Sequence, residues 1–156
     1  LIKGRLEISK RRMNVYTDGS ALGNPGPGGW ACVGPGFELV GGAKRTTNNI
    51  MEMTAVAEAL EKCVELGVDD VTVYTDSMYV RNGITKWIHA WKQNKWKTSK
   101  NEPVKNRELW ERIDLLRDSL KSVEWRWVKA HNGHPMNEKV DTLARNKATE
   151  IKNMDM

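Results

Sequence analysis

The chain is expected to fold as one α/β domain around a mixed sheet. Its 156 residues are the size of an ordinary single domain, long enough to bury a core without disulfide or metal staples. Three short strand-like runs with brief connections come first, which implies an antiparallel meander. Two later runs, at 71–75 and 123–128, each follow a stretch of helical period, so the strands there are separated by helices. A meander followed by such strands makes a mixed sheet flanked by helices.

Residues 13–17 form the first strand, which runs into a Gly/Pro-rich loop at 19–29. Residues 30–33 and 37–40 are short strands on either side of Gly34-Pro35-Gly36. From 48 to 66 the period becomes helical, with Ala55, Val56, Ala59, Leu60 and Cys63 on one stripe, and Gly67 ends it. A strand at 71–75 leads to a helix beginning near Ser77 and then to a Trp-rich stretch, 87–96. Leu109, Ile113, Leu116 and Leu120 give 108–120 a helical spacing. Residues 123–128 alternate Val123, Trp125 and Trp127 against Glu124 and Arg126, the pattern of a half-buried strand. The last helix starts near Pro135, a favoured first-turn residue, and turns Val140, Leu143, Ala144 and Ala148 inward.

Composition narrows the function classes. With 39% hydrophobic and 29% charged residues the chain reads as soluble, and no apolar run approaches the roughly 18 residues of a membrane span. No secretory signal is visible. Cys32 and Cys63 stand in apolar stretches without CxxC or Cys/His spacing, so they read as buried thiols in a reducing, cytoplasmic compartment, and a structural zinc is not expected. The net charge of +5 is unevenly placed: residues 86–107 hold seven basic residues and one acid, 1–12 hold five and one, and the remainder carries 13 basic and 18 acidic. A basic strip on an acidic body is the pattern of a phosphate-binding arm beside a cation-binding centre, although a solvated face has the same composition. Residues 1–12, which open at Leu1 without Met, lack a clear period and are expected to be a basic, disordered or linker extension; 13–150 form the domain and 151–156 a tail.

The segment Val15-Tyr16-Thr17-Asp18 recurs as Val73-Tyr74-Thr75-Asp76. Each copy is a strand-like run that stops on an aspartate, and the carboxyl ends of strands are where open α/β sheets place ligands. Asp is also an ordinary turn or cap residue. Glu52 lies three residues before Ala55 and four before Val56, which puts it on the buried stripe. A carboxylate there needs a partner, and the alternatives are a metal or a capping bond with Asn49. Asp141 borders the apolar stripe of the last helix, where Arg145, four residues on, offers an exposed pair instead. If the two strands are neighbours, these four acids meet at one end of the sheet. At about 4 Å and an effective dielectric near 20, each like-charge pair repels by roughly 4 kcal/mol, which divalent cations would relieve. All-oxygen ligation favours Mg²⁺ or Mn²⁺, and two such ions are a known solution for in-line displacement at phosphorus. His131, between the last strand and the last helix, is either a loop histidine or a proton carrier near neutral pH. His134 has no assigned chemistry and is a candidate cap for the helix at Pro135.

In this order, Thr17-Asp18-Gly19-Ser20 with Gly23-Asn24-Pro25-Gly26, Arg45-Thr46-Thr47-Asn48-Asn49 with Glu52, Thr75-Asp76-Ser77, and Trp127-Val128-Lys129 with His131 and Asp141 resemble the ribonuclease H type 1 family. The match spans most of the chain. The resemblance implies a five-stranded mixed sheet with helices on both sides. It also implies Mg²⁺-dependent hydrolysis of the RNA strand of RNA/DNA hybrids, leaving 5′-phosphate and 3′-hydroxyl ends. By the same resemblance Asp18, Glu52, Asp76 and Asp141 bind the metals, and His131 assists proton transfer or product release. Asn24, Asn48 and Asn49 face the RNA strand or minor groove, where their amides suit a 2′-hydroxyl that both donates and accepts; each also fits a turn or a cap. Arg45, Thr47 and Asn106 match a pocket for a DNA-strand phosphate. Lys86, Trp87, Trp91, Lys92, Lys95, Lys97 and Lys100 match the basic protrusion of free-standing members, with core packing the competing use of the tryptophans, Trp96 above all. The enzyme is then expected to act as a monomer without an obligate protein partner. Ala130 stands where the family usually has glycine, and Met78 holds a variable position. Two other readings remain: a related-fold nuclease acting on DNA, and a non-catalytic module that binds hybrids.

Overall fold

The computed structural model describes residues 11–128 and 134–154, so His131 and the segment 1–10 lie outside the described residues. A five-stranded sheet of order β3-β2-β1-β4-β5 organises them. Strands β1 (Arg12–Ala21), β2 (Gly26–Gly34) and β3 (Phe37–Thr46) form the antiparallel meander, and β4 (Asp70–Thr75) and β5 (Ser122–Trp127) add in parallel beyond β1. The helices are α1 (Asn48–Glu65), α2 (Met78–Asn82), α3 (Ile88–Gln93), α4 (Arg107–Asp118) and α5 (Pro135–Met154), with a π-helical turn, Gly83–Trp87, between α2 and α3. The mixed sheet and its helices match the expected fold class.

Alternation along the strands sends side chains to two cores. On one face Met13, Val15, Cys32, Val71 and Val73 meet Met53, Val56, Leu60 and Cys63 of α1 and Trp110 and Ile113 of α4. On the other, Ala31 and Val33 meet Val140 and Ala144 of α5, with Tyr16 packed against them. Val15, Val56, Leu60 and Val73 are fully enclosed, each contributing roughly 1.5–3 kcal/mol by leaving water. Helix α1 begins at the N-cap Thr47, whose Oγ1 accepts from Ile50 N at 3.1 Å. Such a cap contributes about 1 kcal/mol. Asn48 and Asn49, alternative caps by sequence, are therefore already inside the helix.

The meander is longer than expected. Glycines read as loop residues lie within paired strand, with Gly28 opposite Ala43 and Gly29 opposite Gly42. The reason is the close approach of α5, since a Cβ on Gly29 would stand 2.4 Å from the carbonyl oxygen of Ala144. Strand β1 likewise runs on through Asp18 to Ala21, so Asp18 sits within the strand rather than at its end. Trp127, expected to face inward, is 42% exposed at the end of the outer strand β5. Helix α5 continues to Met154, beyond the position where a tail was expected.

Because α5 rests on backbone at Gly29, replacing Gly29 with Ala should lower stability by about 1–3 kcal/mol, the usual cost of overpacking. Urea denaturation checks this; an unchanged midpoint would show that the helix can move away from the strand at little cost.

Candidate active site

The repeated tetrapeptides are side by side. Val15 pairs with Val73 and Tyr16 with Tyr74 across the parallel β1/β4 ladder, so the same spacing brings both chains to an aspartate at one sheet end. Asp18 is 6% exposed, and Gly19 N donates to its Oδ1 at 2.9 Å. Asp76 follows immediately after β4. Glu52 projects from the start of α1, which can approach β1 only because residue 19 has no side chain. A Cβ on Gly19 would lie 2.3 Å from Glu52 N. Asn48 Oδ1 accepts from Ala21 N at 2.6 Å, tying the first turn of α1 to the end of β1.

One ligand atom from each of Asp18, Glu52 and Asp76 falls within 4.8 Å of the others. Among the described residues Glu52 Oε1 is enclosed without a hydrogen-bond partner. Burial, then the neighbouring acids Asp18 and Asp76, push the Glu52 carboxyl well above the usual carboxylate range. Burial is also the largest influence on Asp18, which is pushed up to about 7; Asp76 and Asp141 add to the rise, while bonds with Glu52 and the Gly19 N–H oppose it. At these separations like charges repel by roughly 3–4 kcal/mol per pair at an effective dielectric near 20. An oxygen-only donor set with an enclosed, unpartnered carboxylate oxygen fits a hard divalent cation of the Mg²⁺ or Mn²⁺ type.

Asp141 lines the same open depression of about 380 Å³, with Asn48, Asn49 and Ser77 along its walls. Its Oδ2 is held by Arg145, with Nε at 3.0 Å and Nη2 at 2.8 Å. Asp141 thus borders the depression and pairs along its own helix, and it is not among the three acids whose ligand atoms lie within 4.8 Å of one another.

Of the residues matched to nucleic-acid contacts, Asn48 and Asn49 line this depression. Asn24 is exposed in the turn between β1 and β2, and Asn48 and Asn49 are exposed on the rim. Arg45 is exposed near the end of β3, one residue before buried Thr46. Thr47 caps α1, and Asn106, at the N-cap of α4, donates from Nδ2 to the Tyr79 hydroxyl at 3.2 Å. Tyr79, which the sequence reading did not single out, links Asn106 to the depression it lines.

In the basic segment Trp87 and Trp91 lie 5.8 Å apart between ring centroids, and Trp91 continues to Trp96 at 6.5 Å and to Trp110 at 5.7 Å. Trp110 is the fully buried anchor, and Trp96 is half-buried against the same core with the Arg107 guanidinium 5.4 Å from its ring centroid. Trp87 stays 37% exposed beside a trough of about 490 Å³ that Lys86 and Lys97 also line. Lys95 and Lys100 are exposed. Lys92 differs from its neighbours, because its Nζ lies 2.8 Å from Oδ2 of buried Asp114, which also pairs with Arg117. That pair fastens the segment to α4. Trp110 and Asp114 were missed because the Leu109/Ile113/Leu116 stripe was read without the adjoining 110/114 row; a tryptophan three residues before Ile113 was the available signal.

A carboxyl whose folded pKa is raised binds a proton in the folded chain that the unfolded chain releases at lower pH. Metal-free stability should therefore fall as pH rises from about 4 to about 7 through Asp18. Replacing Asp18 with Asn should stabilise the chelator-treated protein at pH 8 by on the order of 3 kcal/mol, with the gain fading towards pH 4. Thermal unfolding at both pH values tests this; equal melting temperatures at pH 8 would refute the electrostatic cost.

Sequence and structure comparisons agree with the geometry. The family model described as RNase H matches residues 10–149. A ribonuclease H of Xanthomonas campestris is 53% identical over 142 residues, covering 88% of this chain and 93% of that relative. One from Nitratidesulfovibrio vulgaris is 52% identical over 148 residues, covering 91% and 92%. Among solved structures, LC9-RNase H1, described as a type 1 RNase H with the type 2 active-site motif, superposes with a TM-score of 0.80 at 33% identity over 90% of this chain and 74% of that one. With this match along nearly its whole described length, and with the acids gathered at the end of a five-stranded mixed sheet, the chain belongs to the ribonuclease H family.

Proposed function

We propose that this protein is an endoribonuclease that hydrolyses the RNA strand of RNA/DNA hybrids and leaves 5′-phosphate and 3′-hydroxyl ends. The observation that carries the reading is the convergence of Asp18, Glu52 and Asp76 within 4.8 Å, beside a depression that Asp141 borders. These four carboxylates would hold two Mg²⁺ ions, with Mn²⁺ able to substitute. When bound, the ions supply positive charge to the attacking and leaving oxygens of an in-line displacement.

The chain's own residues orient the substrate around that centre. Asn24, Asn48 and Asn49 offer amides to the 2′-hydroxyls that distinguish RNA from DNA. Arg45, Thr47 and Asn106 receive a DNA-strand phosphate; Thr47 and Asn106 stand at the N-termini of α1 and α4, where free backbone N–H groups attract anions. Trp87 and Trp91 present an aromatic face to the nucleic acid, with Lys86, Lys95, Lys97 and Lys100 supplying charge and Lys92 holding the segment in place. His131 carries the proton or assists release of the product. The reading also makes the protein a cytoplasmic monomer with no obligate protein partner; its free, buried cysteines suit a reducing compartment. Among the described residues no helix is long and apolar enough to cross a membrane.

Incubation with a labelled RNA/DNA hybrid, with and without Mg²⁺, should give cation-dependent cuts in the RNA strand alone; preference for duplex DNA or duplex RNA would favour the related DNA nuclease or another activity. Asp76→Asn should reduce cleavage on the order of a thousand-fold, about 4 kcal/mol of transition-state stabilisation, with hybrid binding within a few-fold of the parent. Full cleavage by that variant would remove Asp76 from the catalytic centre, whereas a parent chain that binds the hybrid without cutting it would be a binding module. Lys86→Gln combined with Lys97→Gln should lower the salt slope of hybrid binding by roughly 2, whereas Lys92→Gln should instead reduce thermal stability. An unchanged slope in the double variant would remove the trough from the interface.

A further inference from the structure

Three elements that carry the candidate carboxylates also share an aromatic stack. Tyr16 of β1 lies on Tyr74 of β4, with ring centroids 4.6 Å apart and planes inclined by 17°. His134 covers both, 5.3 Å from Tyr16 and 6.4 Å from Tyr74. Each tyrosine stands two residues before an acid, in Tyr16-Thr17-Asp18 and Tyr74-Thr75-Asp76. His134 stands just before α5, and its carbonyl oxygen accepts from Glu138 N at 2.9 Å to close the first turn. Two turns from His134 the same helix carries Asp141.

From this juxtaposition we infer that the Tyr16–Tyr74–His134 stack is a positioning device that sets Asp141 against Asp18 and Asp76. Two tyrosines alone would align β1 with β4, which their ladder already does. The histidine adds the third element, since it docks the entry of α5 on the strands that bear the two aspartates. The more distal part of α5 is held separately by Val140 and Ala144 on Ala31 and Val33. Upstream of Asp141 the helix also packs Met136 against the smaller core and pairs Lys139 Nζ with Glu38 Oε1 of β3 at 2.9 Å, and the stack adds ring contact with both strands that lead to the aspartates. Its observed contribution is ring contact, and among the described residues His134 Nδ1 is buried without a hydrogen-bond partner. Aromatic pairing of this kind contributes beyond area burial and is retained by any flat ring of similar size.

The inference rests on the carboxylates binding divalent cations, and its test separates the two. In the full chain His134→Ala should accelerate amide hydrogen exchange in the first two turns of α5 by about tenfold, while exchange in its last turns follows global stability. The same variant should bind Mn²⁺ several-fold more weakly by calorimetry and reduce kcat with little change in KM. His134→Phe should restore all of these, whereas His134→Asn, which keeps a polar group but no ring, should not. Leu120→Ala, a core change remote from the stack, serves as the control for general loss of stability and should leave Mn²⁺ affinity unchanged. Rescue by Asn rather than Phe would overturn the stacking role, as would an Ala variant with parental Mn²⁺ affinity. If the parent itself fails to bind Mn²⁺, the metal reading falls and with it the positioning of Asp141 for metal, while local exchange still decides whether the ring clamps α5.

Discussion

The interaction on which the rest of the structure depends is repulsion among carboxylates held closer together than water would leave them. Asp18, Glu52 and Asp76 present ligand atoms within 4.8 Å, and among the described residues no donor pairs with Glu52 Oε1. Left to themselves these groups would separate or take up protons, and burial together with their mutual charge does raise the Asp18 and Glu52 carboxyls. They remain together because each is carried by an element that is committed elsewhere. Strands β1 and β4 are locked by their ladder, and α1 is locked by its buried stripe and by the contact that Gly19 permits. The strain at the site is offset by packing distant from it, which is how a destabilising constellation persists in a folded chain.

The two cores divide the labour. The larger one, between the sheet and α1 with α4, holds the three-acid cluster and anchors the aromatic ladder that ends in Trp110. The smaller one places α5 and so Asp141. Its backbone contact at Gly29 brings the helix close to the sheet, and its aromatic continuation through Tyr16 reaches His134 at the strand ends. The basic segment hangs from the larger core by a different means. Lys92 is tied to Asp114, and Trp91 and Trp96 are partly buried against the core, so that Trp87 and one side of Trp91 line the trough with Lys86 and Lys97. A positively charged arm is therefore held at a fixed orientation to the acidic centre instead of trailing as a solvated loop.

Several residues stand at the site while also serving the fold. Asp141 borders the depression and pairs with Arg145; Thr47 caps α1 at a place where an anion would be welcome; Asn48 bonds the end of β1 while remaining exposed on the rim. Glu52 is different. The capping partnership offered by sequence does not form, because the cap belongs to Thr47, and the enclosed oxygen is left for another ligand.

The sequence by itself determined the kinds of elements, their order, and the residues that carry charge into the centre. Hydrophobic period separates helix from strand locally, and the ordered motifs from Asp18 to Asp141 are specific to one family. It could also show that 86–107 is basic, but not which lysines are free, since Lys92 and Asp114 stand 22 residues apart and meet only when α3 packs near α4. Glycines 28 and 29 looked like loop because local propensity cannot register close approach from elsewhere in the chain: a Cβ on Gly29 would meet α5, and one on Gly28 would meet Thr46 and the Ser20 carbonyl oxygen. Trp127 looked buried because alternation names a face without saying whether anything covers it, and β5 is the outer strand. The repeated Val-Tyr-Thr-Asp could suggest two strand ends, but parallel pairing in equal register was decided by tertiary structure. Only that register sets Tyr16 on Tyr74 and brings Asp18 and Asp76 to the same end of the sheet, because which strands become neighbours depends on how the intervening helices cross and pack.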